Sequence, residues 1–139
     1  MAIRIPKDPH PNKENIMVKL QFDLGLKRYR VGNGVLAFNP TDPNLYSRFL
    51  TCLEELEALE KTLPEQENLI QALSEADKAV KAALARVFPG NDMEAIFQGV
   101  SLLALSANGE RVLTNFLRAL EPILRKGALD AARAEAEKL

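Results

Sequence analysis

Between Phe38 and Phe49 the spacing of apolar residues changes from every second position to every third or fourth. That switch constrains the fold most, because one short stretch must close a strand and open a helix. Its residues supply the means. Asp42 can accept a hydrogen bond from an early helical N–H, and Pro43 suits the first helical position, where no donor is needed. The expected fold class is therefore α+β: an N-terminal three-stranded antiparallel β-meander followed by a bundle of four to five α-helices.

Upstream of the switch, Ile16, Val18, Leu20, Phe22 and Leu24 alternate with Met17, Lys19, Gln21 and Asp23. A period of two reads as a half-buried strand. Gly25 can supply a turn. Lys27–Val31 alternates again, with Tyr29 and Val31 on one face, and Gly32-Asn33-Gly34 is a strong hairpin turn because Gly and Asn tolerate positive φ. Val35–Phe38 completes the meander. A sheet this small must cover one face with helices to be stable.

Downstream, a first helix runs from about Pro43 to Thr62. Its apolar stripe is Leu45, Tyr46, Phe49, Leu50, Leu53, Leu56 and Leu59, and its wet side carries the favourable Glu57–Lys61 pair. After Pro64 a second helix runs from about Glu65 to Val87 or Phe88, where Pro89-Gly90-Asn91 stops it. Asp92 can cap a short third helix holding Met93, Ile96 and Phe97. Residues 99–107 are apolar but poorly periodic, so a packed loop and a short helix both remain open. Ser106 or Asn108 can cap a last helix with the stripe Val112, Leu113, Phe116, Leu117, Leu120, Ile123 and Leu124. Pro122 inside that stripe predicts a kink or break near residues 118–121.

A chain of 139 residues reads as one domain that needs no disulfide or metal to fold. The expected organisation is a flexible N-terminal arm over 1–15, a single α+β domain over 16–126 and a helical or frayed tail over 127–139. The arm holds Pro6, Pro9 and Pro11 and has no signal-peptide pattern. No apolar run approaches the ~20 residues that span a bilayer. Eighteen basic and 19 acidic residues give a net charge of −1, no electrostatic reason to expect nucleic acid or an anionic membrane. The lone cysteine, Cys52, suits a reducing cytoplasm.

Catalytic, cofactor-binding and metal-binding residues are not evident. His10 is the only histidine; it sits among prolines with nothing to orient it. One His and one distant Cys cannot build a zinc site. Cys52 has no histidine base to ionise it and reads as a small core hydrophobe. The turn glycines lack the spacing and the Lys-Ser/Thr pair of a phosphate loop. Lys27, Arg28 and Arg30 form a small basic cluster, so a nucleic-acid-binding regulator is a weak alternative.

Taken in order, several segments are similar to one family. They are the strand region, then Phe38-Asn39-Pro40-Thr41-Asp42-Pro43 leading into a helix with Tyr46 and Phe49. Val87-Phe88-Pro89-Gly90, Ile96-Phe97-Gln98-Gly99, Ala107-Asn108-Gly109-Glu110 and Phe116–Ile123 follow. The chain resembles the tail assembly chaperones of long-tailed bacteriophages and prophages, in the branch common in Gram-positive hosts. The resemblance spans roughly residues 16–125; the Asn-Pro-Thr-Asp-Pro lead-in is its most specific part, and Pro89 stands where the family pattern has Gly. It implies a non-enzymatic protein of the host cytoplasm. Such a protein binds the long, apolar tape measure protein, keeps it soluble and helps recruit tail tube subunits. Surplus apolar surface on the helices would favour a homo-oligomer or a partner. The client contacts expected on the helical apolar edges are Tyr46, Phe49, Leu53, Phe97, Phe116 and Leu120. A structural tail or connector component retained in the virion is the other alternative.

Overall fold

The computed structural model describes residues 16–63 and 67–138. Their order is β1 (Lys27–Val31), β2 (Gly34–Phe38), α1 (Pro43–Thr62), α2 (Leu69–Val87), α3 (Met93–Ile96) and α4 (Val112–Glu137). The N-terminal arm and His10 lie outside the described residues, as do Pro64 and Glu65, where the second helix was expected to begin.

β1 and β2 pair antiparallel with Val31 opposite Gly34 and Lys27 opposite Phe38. The connection is the two-residue Gly32-Asn33 turn, with Gly32 at φ +59°. The three-stranded meander is not what forms: among the described residues the sheet has two strands, and four helices follow. Residues 16–26 are not a strand, and their apolar side chains lie exposed, Val18 at 85% and Phe22 at 72%. The cause is local. Asp23 Oδ1 accepts from the Gly25 N–H at 2.8 Å, Gly25 turns at φ +73°, and Asn39 Nδ2 donates to the Leu24 carbonyl at 2.9 Å. The chain is thus tied to the open end of the hairpin rather than folded back along β1.

α1 has the expected bounds. Asp42 Oδ1 accepts from the Asn44 N–H at 2.9 Å, and Pro43 occupies the first turn. α2 starts at Leu69, capped by Asn68, which accepts from the Gln71 N–H at 3.1 Å. Asp92 caps α3 through the Ala95 N–H. Residues 99–105 form a packed loop with Leu102 fully buried. α4 begins later than Ser106 or Asn108 would allow: its cap residue is Arg111, without a side-chain bond. Ser106, Asn108 and Asn115 instead bond to one another, Asn115 Nδ2 reaching Ser106 Oγ at 2.6 Å. α4 also runs through Pro122 as one helix. The ring removes a single i→i−4 bond, and the buried Leu120 and Leu124 on either side hold the helix across it.

α1 packs on α2 and α4, while α3 sits against α2 and β2. The core joins Leu36 and Phe38 of the hairpin to Phe49, Leu84, Phe88, Leu102 and Leu124. Phe38 is stacked on Tyr29 (centroids 4.4 Å apart) and tilted against Phe88 (5.1 Å). No helix among the described residues is long and apolar enough to cross a membrane.

Candidate functional site

An open groove of about 550 Å³ separates the inner face of the hairpin from α4. Strand alternation builds one wall: Tyr29 and Val31 of β1 and Leu36 and Phe38 of β2 share a face. The 3.6-residue period builds the other, placing Phe116, Leu120 and Ile123 along one side of α4. Phe97, at the end of α3, closes the floor and meets Phe116 edge-on at 5.1 Å and 89°. The lining is mostly apolar, with Asn33, Gln98 and Asn115 among it; Arg30 is its one charged residue. Burial pushes the Tyr29 phenol above its ordinary pKa, so its hydroxyl stays neutral in water near pH 7.

The six expected contact residues separate into three places. Phe97, Phe116 and Leu120 come together at this groove, Phe116 half-buried and Phe97 and Leu120 buried in the core beneath it. Leu53 lines a second cleft, of about 600 Å³, between α1, α2 and the loop before α4. Tyr46 is half-buried and stacks beside Phe49 at 6.4 Å. Phe49 is fully enclosed in the core and offers nothing to a partner in this state. Periodicity cannot separate these cases, because a core residue and a groove residue occupy the same helical stripe.

β1 leaves an open edge beside the groove. Val31 and Gly34 close a two-residue turn, so the backbone groups of Arg28 and Arg30 point away from β2. On β2 the outward groups of Ala37 are covered. Asn91 Oδ1 accepts from the Ala37 N–H, and Asn91 Nδ2 donates to the Ala37 carbonyl, both at 2.9 Å. The basic cluster is divided by the same alternation, with Arg28 and Arg30 on the outer face and Lys27 on the inner one.

A buried ionic node was not evident in the sequence. Lys81, 5% exposed, contacts Asp77 Oδ2 at 3.0 Å and Glu94 Oε1 at 2.8 Å. Burial disfavours its charge, but the hydrogen bonds to Glu94 and Asp77 outweigh that and hold its pKa above the ordinary lysine value. Asp77 Oδ1 also accepts from the Leu102 N–H at 2.7 Å, tying the 99–105 loop to α2. The i,i+4 spacing of Asp77 and Lys81 inside an apolar stripe was the available signal. Cys52 is buried, and burial together with Glu55 pushes its thiol up to about 11 against the opposing pull of Arg86. No group of three or more His, Cys, Asp or Glu among the described residues could hold a metal ion.

No protein-family model, curated protein or solved structure matches the chain.

Proposed function

We propose that this chain is a non-enzymatic binding protein, a phage tail assembly chaperone that holds an apolar stretch of the tape measure protein in the hairpin–α4 groove. In that role it works in the cytoplasm of the bacterial host, keeps its client soluble and helps recruit tail tube subunits. The observation that carries the reading is the groove, an open and mostly apolar trough between the hairpin and α4 with the half-buried Phe116 on its wall and the buried Phe97 and Leu120 behind it. An amphipathic client helix could lay its apolar face there. The resemblance of the Asn39–Pro43 lead-in and its neighbours to the tail assembly chaperones supplies the client.

The test is co-expression with the tape measure protein from the same genome. The client becomes soluble and co-purifies, and Ala119→Glu, which sets a carboxylate at the exposed rim of the groove, removes the complex. If both proteins express well and no complex forms, the reading fails.

A further inference from the structure

The hairpin carries charge of a single sign. Residues 24–41 include Lys27, Arg28 and Arg30 and no carboxylate. None of the three forms an ion pair among the described residues. The alternation that sends the Arg28 and Arg30 side chains to the outer face of β1 also turns their main-chain groups away from β2. No backbone hydrogen bond among the described residues reaches those groups. On the other strand Asn91 already occupies the outward groups of Ala37, so the free edge is that of β1.

Strand geometry says what fits there. An antiparallel strand laid on this edge puts one residue directly opposite Arg28 and another, two positions along, opposite Arg30. Each such pair exchanges both main-chain bonds and shares the outer face. Arg28 and Arg30 are about 7 Å apart, the repeat of alternate residues in any strand. Carboxylates at those two positions meet guanidinium groups, and cations there are repelled. A second copy's β1 would set arginine against arginine, and residues 16–22 offer Lys19 and no carboxylate, so the edge is guarded against both. A nucleic acid fits less well. Phosphates accept hydrogen bonds but donate none, which leaves the Arg28 and Arg30 carbonyls unmatched, and Tyr29 is already stacked on Phe38.

We propose that the β1 edge takes up an extended acidic segment of a partner protein, running antiparallel to β1 with Asp or Glu at alternate positions opposite Arg28 and Arg30. The main chain of the segment supplies affinity, and the two carboxylate–guanidinium pairs on the outer face supply the choice of sequence. The residues between the carboxylates are short ones such as Ala, Ser or Thr, which leave the trough under the inner face open. The site is thus the flank and outer face of the hairpin, and it does not depend on the identity of any client.

Binding of a synthetic probe to the full chain tests it, read by fluorescence anisotropy and amide hydrogen exchange. The probe is an end-blocked octapeptide alternating Glu and Thr. It binds at low salt, and replacing every Glu by Gln weakens binding ~10-fold, the effect of losing two exposed ion pairs. Exchange slows at the Arg28 and Arg30 amides, whereas Tyr29 and Val31, already bonded to β2, change little. Arg28→Glu with Arg30→Glu keeps the far-UV spectrum, since both side chains are exposed, and abolishes binding. That variant binds a Lys–Thr probe instead, which a misfolded hairpin would not. A parent that ignores the Glu–Thr probe overturns the proposal. So does protection that spreads evenly along the hairpin, or single-stranded DNA of equal charge that binds as tightly. Arg28 and Arg30 amides protected before any probe is added, by a second copy or by residues 16–22, overturn it as well. No client is present and the probe has no apolar face for the groove, so this result and client capture stand or fall separately.

Discussion

Replacing Gly127 by alanine sets helix propensity against packing. In the interior of a helix alanine is ordinarily better than glycine by about 1 kcal/mol. Gly127 lies inside α4 where that helix meets the buried Pro40. A Cβ there would overlap the Pro40 carbonyl and stand 3.2 Å from the Thr41 nitrogen. The obstacle is backbone, fixed by the Asn39–Asp42 turn and the α1 cap, so no rotamer change relieves it. Restoring a contact of ~3.5 Å requires α4 to lift off α1 by more than about 1 Å. Overpacking of this kind reaches about 3 kcal/mol or somewhat more. After the propensity gain, Gly127→Ala should destabilise by about 2–3 kcal/mol and lower Tm by roughly 6–10 °C for a chain of this length. Urea unfolding followed by circular dichroism measures it. Ala119→Gly, at an exposed site of the same helix, is the companion and should cost about 1 kcal/mol from propensity alone. A Gly127→Ala protein as stable as the parent, or more so, would refute the packing of α4 against Pro40.

Two other measurements probe the interior. Asp77→Ala strips Lys81 of one partner and leaves the Leu102 N–H without its acceptor, so it should cost roughly 3 kcal/mol in chemical denaturation. Asp77→Asn keeps an acceptor for that N–H and should cost less; equal losses would deny the Leu102 bond its role. The Cys52 thiol should resist a thiol reagent in the native state at pH 8 and react on unfolding. From about pH 8.5 to about 11 the unfolded chain releases the thiol proton while the folded chain retains it. Stability should therefore fall with rising pH across that window, and below it both states hold the proton and the effect vanishes. Cys52→Ala should flatten this part of the profile; an unchanged slope would remove the thiol as its source.

α1 was legible to the residue because its signals are local: the Asp42 cap and Pro43 act within one turn. The Gly32-Asn33 hairpin was legible for the same reason. Residues 16–24 were not, since alternation reveals which face of a strand is apolar but not whether a partner strand lies alongside. The deciding contact, Asn39 to Leu24, joins positions 15 apart. Of the kink or break expected at Pro122, the break does not form, because the loss of one helical bond is local, while the burial of Leu120 and Leu124 that outweighs it is tertiary. At the groove, three of the six expected aromatic and aliphatic contacts converge. The half built from Tyr29, Val31 and Leu36 was read only as sheet, because the juxtaposition of hairpin and α4 depends on where the intervening helices turn.

Asn91 meets the N–H and the carbonyl of Ala37 with the two ends of one side-chain amide, much as the backbone of a neighbouring strand would. The hairpin therefore has a capped flank and an uncapped one, and widening the sheet past β2 would first have to displace that amide.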